Sequence, residues 1–185
     1  MGIRERILAA CQELARVKGF YNTNMDELAR QAGVSKRTIY RYFRSKEEII
    51  EASLDVFMAQ MALEVEKILE QEEPAPEMIA AIMKQLFTRG QFIINPAGLN
   101  DLRVHYPQLW KKIDDFRLER ARVAITRYMQ QSKNPALREI DPRIVTAITL
   151  ASIQAVINPD FILENGLTFE SAATQLSKFL VASFS

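Results

Sequence analysis

Residues 33–43 read Gly-Val-Ser-Lys-Arg-Thr-Ile-Tyr-Arg-Tyr-Phe, and no acidic side chain stands between Glu27 and Glu47. Lys36, Arg37 and Arg41 offer cations with several N–H donors, Thr38 a hydroxyl, and Tyr40 and Tyr42 aromatic faces with phenol tips. These groups suit phosphate oxygens and base edges, which accept hydrogen bonds and present flat or methyl-bearing surfaces. A buried helix would exclude so many cations, and an ordinary solvated helix would mix in acids. Lys46 repeats the theme. It falls in the first turn of a further predicted helix, where a cation opposes the macrodipole. A phosphate bound there would use the lysine together with the free helix N–H groups.

Little else has the makings of chemistry. The chain holds one histidine, His105, and one cysteine, Cys11, with no H-x-x-x-H, C-x-x-C, G-x-S-x-G or glycine-rich phosphate loop. Asp114, Asp115 and Glu119 read as solvated carboxylates on a helix. The expectation is a protein that is not an enzyme and has no metal or cofactor. A single cysteine forms no intramolecular disulfide and fits a reducing compartment. With no secretory signal and no long uncharged apolar run, the expected location is cytoplasmic and no membrane partner is expected.

Charge is distributed unevenly. Of 24 Lys/Arg and 23 Asp/Glu, residues 1–50 hold 10 and 6, so they carry net +4 against net −3 for the remainder. A basic segment on a mildly acidic body is the asymmetry of a nucleic-acid reader with a second task. Apolar residues make up 48% of the 185, enough for a substantial core.

The elements that must position these groups read as helices throughout. Apolar spacing predicts a helix over 3–17, ended by Gly19. Thr23 or Asn24 caps a second, with Asp26 and Glu27 in its first turn and Gly33 as its stop. Ser35 caps a third, reaching about Phe43. Helix, glycine-containing turn and helix at this spacing are the helix-turn-helix motif. Ala29 is small where the two helices cross, Gly33 supplies the positive φ of the turn, and Leu28, Val34 and Ile39 pack inward. Lys36, Arg37, Thr38, Tyr40, Arg41 and Tyr42 are left on an outer face that fits the major groove.

Ser45 caps a long fourth helix, predicted from Lys46 to about Glu72. The run Glu72-Glu73-Pro74-Ala75-Pro76 is the clearest break. Further helices are predicted over 76–92, 100–104, 107–131, 142–157 and 168–182, with Asn95-Pro96-Ala97-Gly98 as a turn. The prediction is all-α with about nine helices and two parts: 1–46, a three-helix DNA-binding unit, and 47–185, a helical body. The fourth helix runs on from the boundary, which couples the parts mechanically.

The run TNMDELARQAGVSKRTIYRYFRSKEEII resembles the DNA-binding segment of the TetR family of transcriptional regulators. The resemblance rests on Gly19, the Leu28-Ala29 pair, Ala32-Gly33-Val34-Ser35, the aromatic cluster Tyr40-Arg41-Tyr42-Phe43, and Lys46-Glu47. It covers roughly the first 55 residues; beyond them only length and helical plan match. Arg37 departs from the pattern, since many members carry a small residue there. The resemblance implies that Lys36, Arg37, Thr38, Tyr40, Arg41 and Tyr42 face DNA, with Ser35 at the start of their helix. It further implies that Thr23, Asn24, Tyr42 and Lys46 hold the backbone.

One such module reads few base pairs, so a homodimer on a two-fold symmetric operator of double-stranded DNA is expected. Ile144, Ile148 and Ala151 on one late helix and Phe169, Ala173, Leu176 and Leu180 on the last, with Phe184 beyond, are the candidate dimer face. In the family the middle helices enclose an effector pocket. Met61, Met83, Phe87, Arg103, His105, Trp110, Phe116 and Arg117 are the candidates to line it and orient a small apolar or amphipathic effector. An effector there would move the fourth helix and spoil the spacing of two recognition helices about one turn apart, ~34–36 Å. The competing expectation is a DNA-binding regulator without a small-molecule effector, controlled by a protein partner or constitutive. A filled body core would favour that alternative.

Overall fold

A computed structural model describes residues 1–71, 75–131 and 139–184 of the chain. Among these residues there are eleven helices and no strands. They are α1 (Ile3–Lys18), α2 (Met25–Ala32), α3 (Lys36–Tyr42), α4 (Lys46–Leu69), α5 (Ala75–Arg89), α6 (Gln91–Ile94), α7 (Pro96–Val104), α8 (Pro107–Gln131), α9 (Pro142–Val156), α10 (Pro159–Glu164) and α11 (Phe169–Phe184). The expected all-α architecture is the one observed. The predicted break at Glu72–Pro76 falls largely outside the described residues, as does the side chain of Phe184.

Two more helices form than the sequence predicts, each for a local reason. The predicted helix over 76–92 stops at Arg89 and restarts at Gln91. Gly90 makes the joint: a Cβ there would lie 2.7 Å from the carbonyl oxygen of Leu86. Asn95-Pro96-Ala97-Gly98 is the first turn of α7 rather than a free turn. Asn95 Oδ1 accepts from Gly98 N at 2.8 Å, and Pro96 occupies the first helical position, where its missing N–H is no loss. Asn158 and Pro159 start α10 in the same way.

α1 packs on α2, α4, α6 and α7; α4 runs on into the body against α5 and α8; α9 lies on α8 and α11, and α11 on α5. One continuous apolar core passes from Ile7, Leu28 and Ile39 through Ile49 and Leu54 to Phe57 and Ile113. A second core gathers Leu99, Ile157, Ile162, Phe169, Ala172, Ala173 and Leu176. That second core corrects the predicted dimer face. Phe169, Ala173 and Leu176 are buried inside the protomer and Leu180 packs against them, because α11 closes the body against α5 and α9. The outward apolar surface is Ile144 and Ile148, 53% and 59% exposed, with Ala151 on α9, and Phe179 on α11 at 61%.

Candidate nucleic-acid interface and body cavity

The turn between α2 and α3 is fixed from three sides. Asn24 Oδ1 caps α2, accepting from Asp26 N at 3.0 Å and Glu27 N at 2.9 Å. Gly33 has φ 64°, the left-handed conformation that glycine adopts without strain. Arg6 reaches across from α1 and donates to the carbonyls of Ala32 (2.6 Å) and Gly33 (2.7 Å). Ser35 Oγ caps α3, accepting from Thr38 N at 3.0 Å. Leu28 and Ile39 have no exposed surface beneath the turn. Arg6 was invisible to sequence reasoning, because its partners lie more than twenty-five residues away and are backbone oxygens.

On the outside of α3, Lys36, Arg37, Tyr40, Arg41 and Tyr42 are exposed, as expected, and Thr38 is half-buried with its hydroxyl 2.9 Å from Ser35 Oγ. These residues differ in how far they are committed. Lys36 Nζ sits 3.1 Å from Asp26 Oδ2. Arg41 lies over the Tyr42 ring at 5.4 Å, and neither Arg37 nor Arg41 has an ion partner among the described residues. The two guanidiniums are therefore free to make bidentate contacts.

Two expected backbone contacts have internal roles. Thr23 is 3% exposed and its hydroxyl donates to Gly19 O at 2.9 Å, so its side chain faces inward. Lys46 does not present its ammonium outward. It donates to the carbonyls of Phe20 (3.2 Å), Tyr21 (2.8 Å) and Thr23 (3.0 Å), closing the α1–α2 loop over the start of α4. Burial pushes its pKa down from the usual lysine value. All three ammonium hydrogens have acceptors here, and that displaces the phosphate-binding role read from the sequence. Asn24 remains exposed at the same edge.

A joint ties this unit to the body. Asp101 of α7, 5% exposed, accepts from Tyr21 N at 2.8 Å, and the His105 ring stacks on Tyr21 with centroids 3.7 Å apart. Lys112 of α8 bridges Glu51 (2.8 Å) and Asp55 (2.6 Å) of α4, and Gln108 donates to Glu47. Burial beside Asp101 and Glu47 pushes the Tyr106 phenol up to about 12. Nothing in the sequence connects Tyr21 with Asp101, eighty residues on.

The body holds a partly open cavity of about 240 Å³ lined by α4, α5, α6, α8, α9 and α11. Five of the expected residues line it: Met61, Met83, Trp110, Phe116 and Arg117. Three do not. Phe87 packs edge-on against Phe169 at 6.5 Å, Arg103 pairs with Asp160 at 3.0 Å, and His105 is held at the joint. Phe169, Ala173, Leu176 and Leu180 form part of the wall instead of a dimer face. Arg117 pairs with Asp114, donates to the Ile157 carbonyl and lies 5.8 Å over the Trp110 ring; burial pushes its pKa below the usual arginine value. Arg120, which sequence reasoning passed over, is also on the wall.

A helix-turn-helix unit with free cations on its second helix, carried on a hollow helical body, defines a DNA-binding regulator. Known proteins agree. Residues 7–53 match the sequence profile described as bacterial regulatory proteins, tetR family. The chain is 28% identical over 166 residues to the uncharacterized HTH-type transcriptional regulator YvaF of Bacillus subtilis, covering 89% of this chain and 86% of that one. Among solved structures, a TetR-family regulator from Syntrophomonas wolfei superposes with a TM-score of 0.67 at 19% identity, covering 97% of this chain and 95% of that one. The regulator FadR from Bacillus subtilis in complex with stearoyl-CoA superposes at 0.62 and 19% identity, covering 98% and 99%. Residues 7–53 thus carry the DNA-binding segment of the tetR family of bacterial regulatory proteins, and the fold of the whole chain is that of TetR-family regulators. No helix among the described residues is long and apolar enough to cross a membrane.

Proposed function

We propose that the protein is a repressor. As a homodimer it inserts two copies of α3 into successive major grooves of a two-fold operator, and a small apolar or amphipathic effector in the body releases it. Residues 1–46 form the reading head and 47–185 the sensing and dimerising body. The observation that carries the effector half of this reading is the cavity of about 240 Å³ beside α4, the helix whose first turn holds the head. A body built only to dimerise would close on itself. FadR supports the idea that a body of this plan holds an acyl ligand.

Arg37 and Arg41 are the base-reading candidates, and a bidentate contact to guanine contributes about 1–3 kcal/mol of discrimination. Lys36, Thr38, Tyr40 and Tyr42 surround them, and Asn24 meets the backbone at the edge. The dimer surface is the exposed stripe Ile144, Ile148 and Ala151, with Phe179 from α11. Apolar area in excess of what the protomer buries calls for a second neighbour. Occupation of the cavity displaces α4 and shifts the heads from their ~34–36 Å spacing, with a coupling of about 1–3 kcal/mol. The protein acts in the cytoplasm, where its DNA is.

Selection from random duplex DNA at about 150 mM salt tests this, because weak phosphate-only binding fades steeply with salt. Enrichment of a two-fold symmetric site with half-sites one turn apart is expected. Enrichment of nothing, from protein unfolded and refolded free of ligand, would remove the reading.

A further inference from the structure

The surface that faces the body cavity is almost wholly carbon. Phe57 and Met61 of α4, Met78 and Met83 of α5, and Trp110 and Phe116 of α8 build much of it. Among the described residues no aspartate, glutamate, lysine or histidine lines it. The polar side chains on the wall are turned to other work. The hydroxyls of Thr149 and Ser177 donate to Val145 O (2.8 Å) and Ala173 O (2.7 Å), back along their own helices. Arg117 pairs with Asp114 and donates to the Ile157 carbonyl. Arg120 is half-buried, with its guanidinium 6.0 Å from the Phe116 ring. The Nε atoms of Arg117 and Arg120 are buried and expose no surface that a ligand could reach.

A polar group carried into such a chamber gives up its water and finds no partner. An ionised head loses most, because only an opposite charge or a full set of hydrogen bonds offsets its desolvation. A hydrocarbon has no such loss and gains dispersion contacts on every side. Met61, Met78 and Met83 add flexible thioethers that adapt to a ring or a chain and make favourable sulfur–aromatic contacts. The wall therefore sorts ligands by polarity and refuses anions and cations alike.

We propose that the cavity binds an uncharged hydrocarbon-like molecule without a polar head. This names the ligand class for the effector reading above and rests on that reading. An apolar cavity of about 150 Å³ accepts a six-carbon ring, so about 240 Å³ holds roughly ten carbons. Trp110 is the only tryptophan of the chain and stands on the wall, so its fluorescence reports occupation of the cavity.

The test titrates the full chain, unfolded and refolded free of ligand, with butylbenzene, phenylbutanol, phenylbutyrate and phenylbutylamine, which share one carbon frame. Trp110 fluorescence and calorimetry read binding. Butylbenzene is expected to bind at least about tenfold more tightly than phenylbutanol, as one unpartnered hydroxyl implies, and about a hundredfold or more tightly than the carboxylate or the ammonium. Arg120→Gln is expected to leave every affinity within about twofold, since no head rests on that side chain. Ala121→Leu, which fills part of the chamber, is expected to weaken butylbenzene at least about tenfold. Circular dichroism establishes that each variant is folded. Any of the polar probes binding as tightly as butylbenzene overturns the proposal. So does no butylbenzene binding, butylbenzene affinity unchanged in Ala121→Leu, or loss of phenylbutyrate affinity in Arg120→Gln. Operator binding is read separately. Butylbenzene that enters the cavity without changing operator affinity supports this ligand class and refutes the effector reading. Phenylbutyrate that releases operator where butylbenzene does not supports the effector reading and refutes this ligand class.

Discussion

The reading head and the body handle empty space in opposite ways. In the head, Ile7, Leu28 and Ile39 are wholly buried, and the inward polar groups of Thr23, Lys46 and Arg6 each end on backbone carbonyls. In the body, six helices stand around about 240 Å³. Reading bases to within hydrogen-bond distance needs a surface that does not yield. Sensing a small molecule needs a wall that is incomplete without it. Both regions draw on one helix, α4, whose N-terminal end is clamped into the head and whose middle lines the cavity.

Truncation is the severest way to break this comparison. Leu28→Ala is expected to cost about 3 kcal/mol, while Met83→Ala, on a wall already beside free volume and half-exposed, costs about 1 kcal/mol. Urea unfolding of both variants measures the difference; equal losses would mean that the body is packed as tightly as the head. Enlargement should reverse the sign. Gly33→Val forces a branched residue to φ 64° and pushes a Cβ to 2.6 Å from Arg6 Nη2, for a loss of about 2–3 kcal/mol. Ala121→Leu extends into the cavity and is expected to leave stability unchanged or raise it by about 0.5–1 kcal/mol. A destabilised Ala121→Leu would argue against a usable chamber.

Removing the clamp comes next. Lys46→Met leaves three loop carbonyls without their donor, for an expected loss of about 2 kcal/mol by thermal unfolding. The smallest effect is at the start of α9, which borders the cavity. Asp141 caps this helix, and Arg143 holds its carboxyl down at about 2, below its ordinary value near 4. A depressed carboxylate contributes stability above its unfolded pKa and loses it as pH falls toward its folded one. The Tm gap between wild type and Asp141→Asn is therefore expected to shrink between pH about 4 and about 2. A constant gap would show that the carboxylate's charge plays no part.

The head was legible in the sequence because its determinants are local. Asn24, Gly33 and Ser35 act within three or four residues of where they stand, and apolar spacing gave Leu28 and Ile39 directly. The body was legible only as helices. Asn95-Pro96 and Asn158-Pro159 look like turn signals, yet each is a cap followed by a first helical residue. α11 is apolar on more than one side, so periodicity alone does not say which side the core takes. Packing against α5 and α9 turns Phe169, Ala173 and Leu176 inward and leaves Phe179 outside. Lys46 and Thr23 were read by residue type. Their partners are carbonyls that only the folded loop brings together, and a sequence carries no trace of them.

The central claim is that Arg37 and Arg41, exposed cations of α3 without an ion partner among the described residues, read bases. It is tested most directly by repeating the duplex selection with Arg37→Ala and Arg41→Ala beside the wild-type protein. The account expects at least one variant to lose its preference at a single base pair in each half-site, symmetrically, at about 1–3 kcal/mol, while the rest of the site stays enriched. Both variants selecting the wild-type site with every preference intact, or binding all sequences uniformly more weakly, would contradict it.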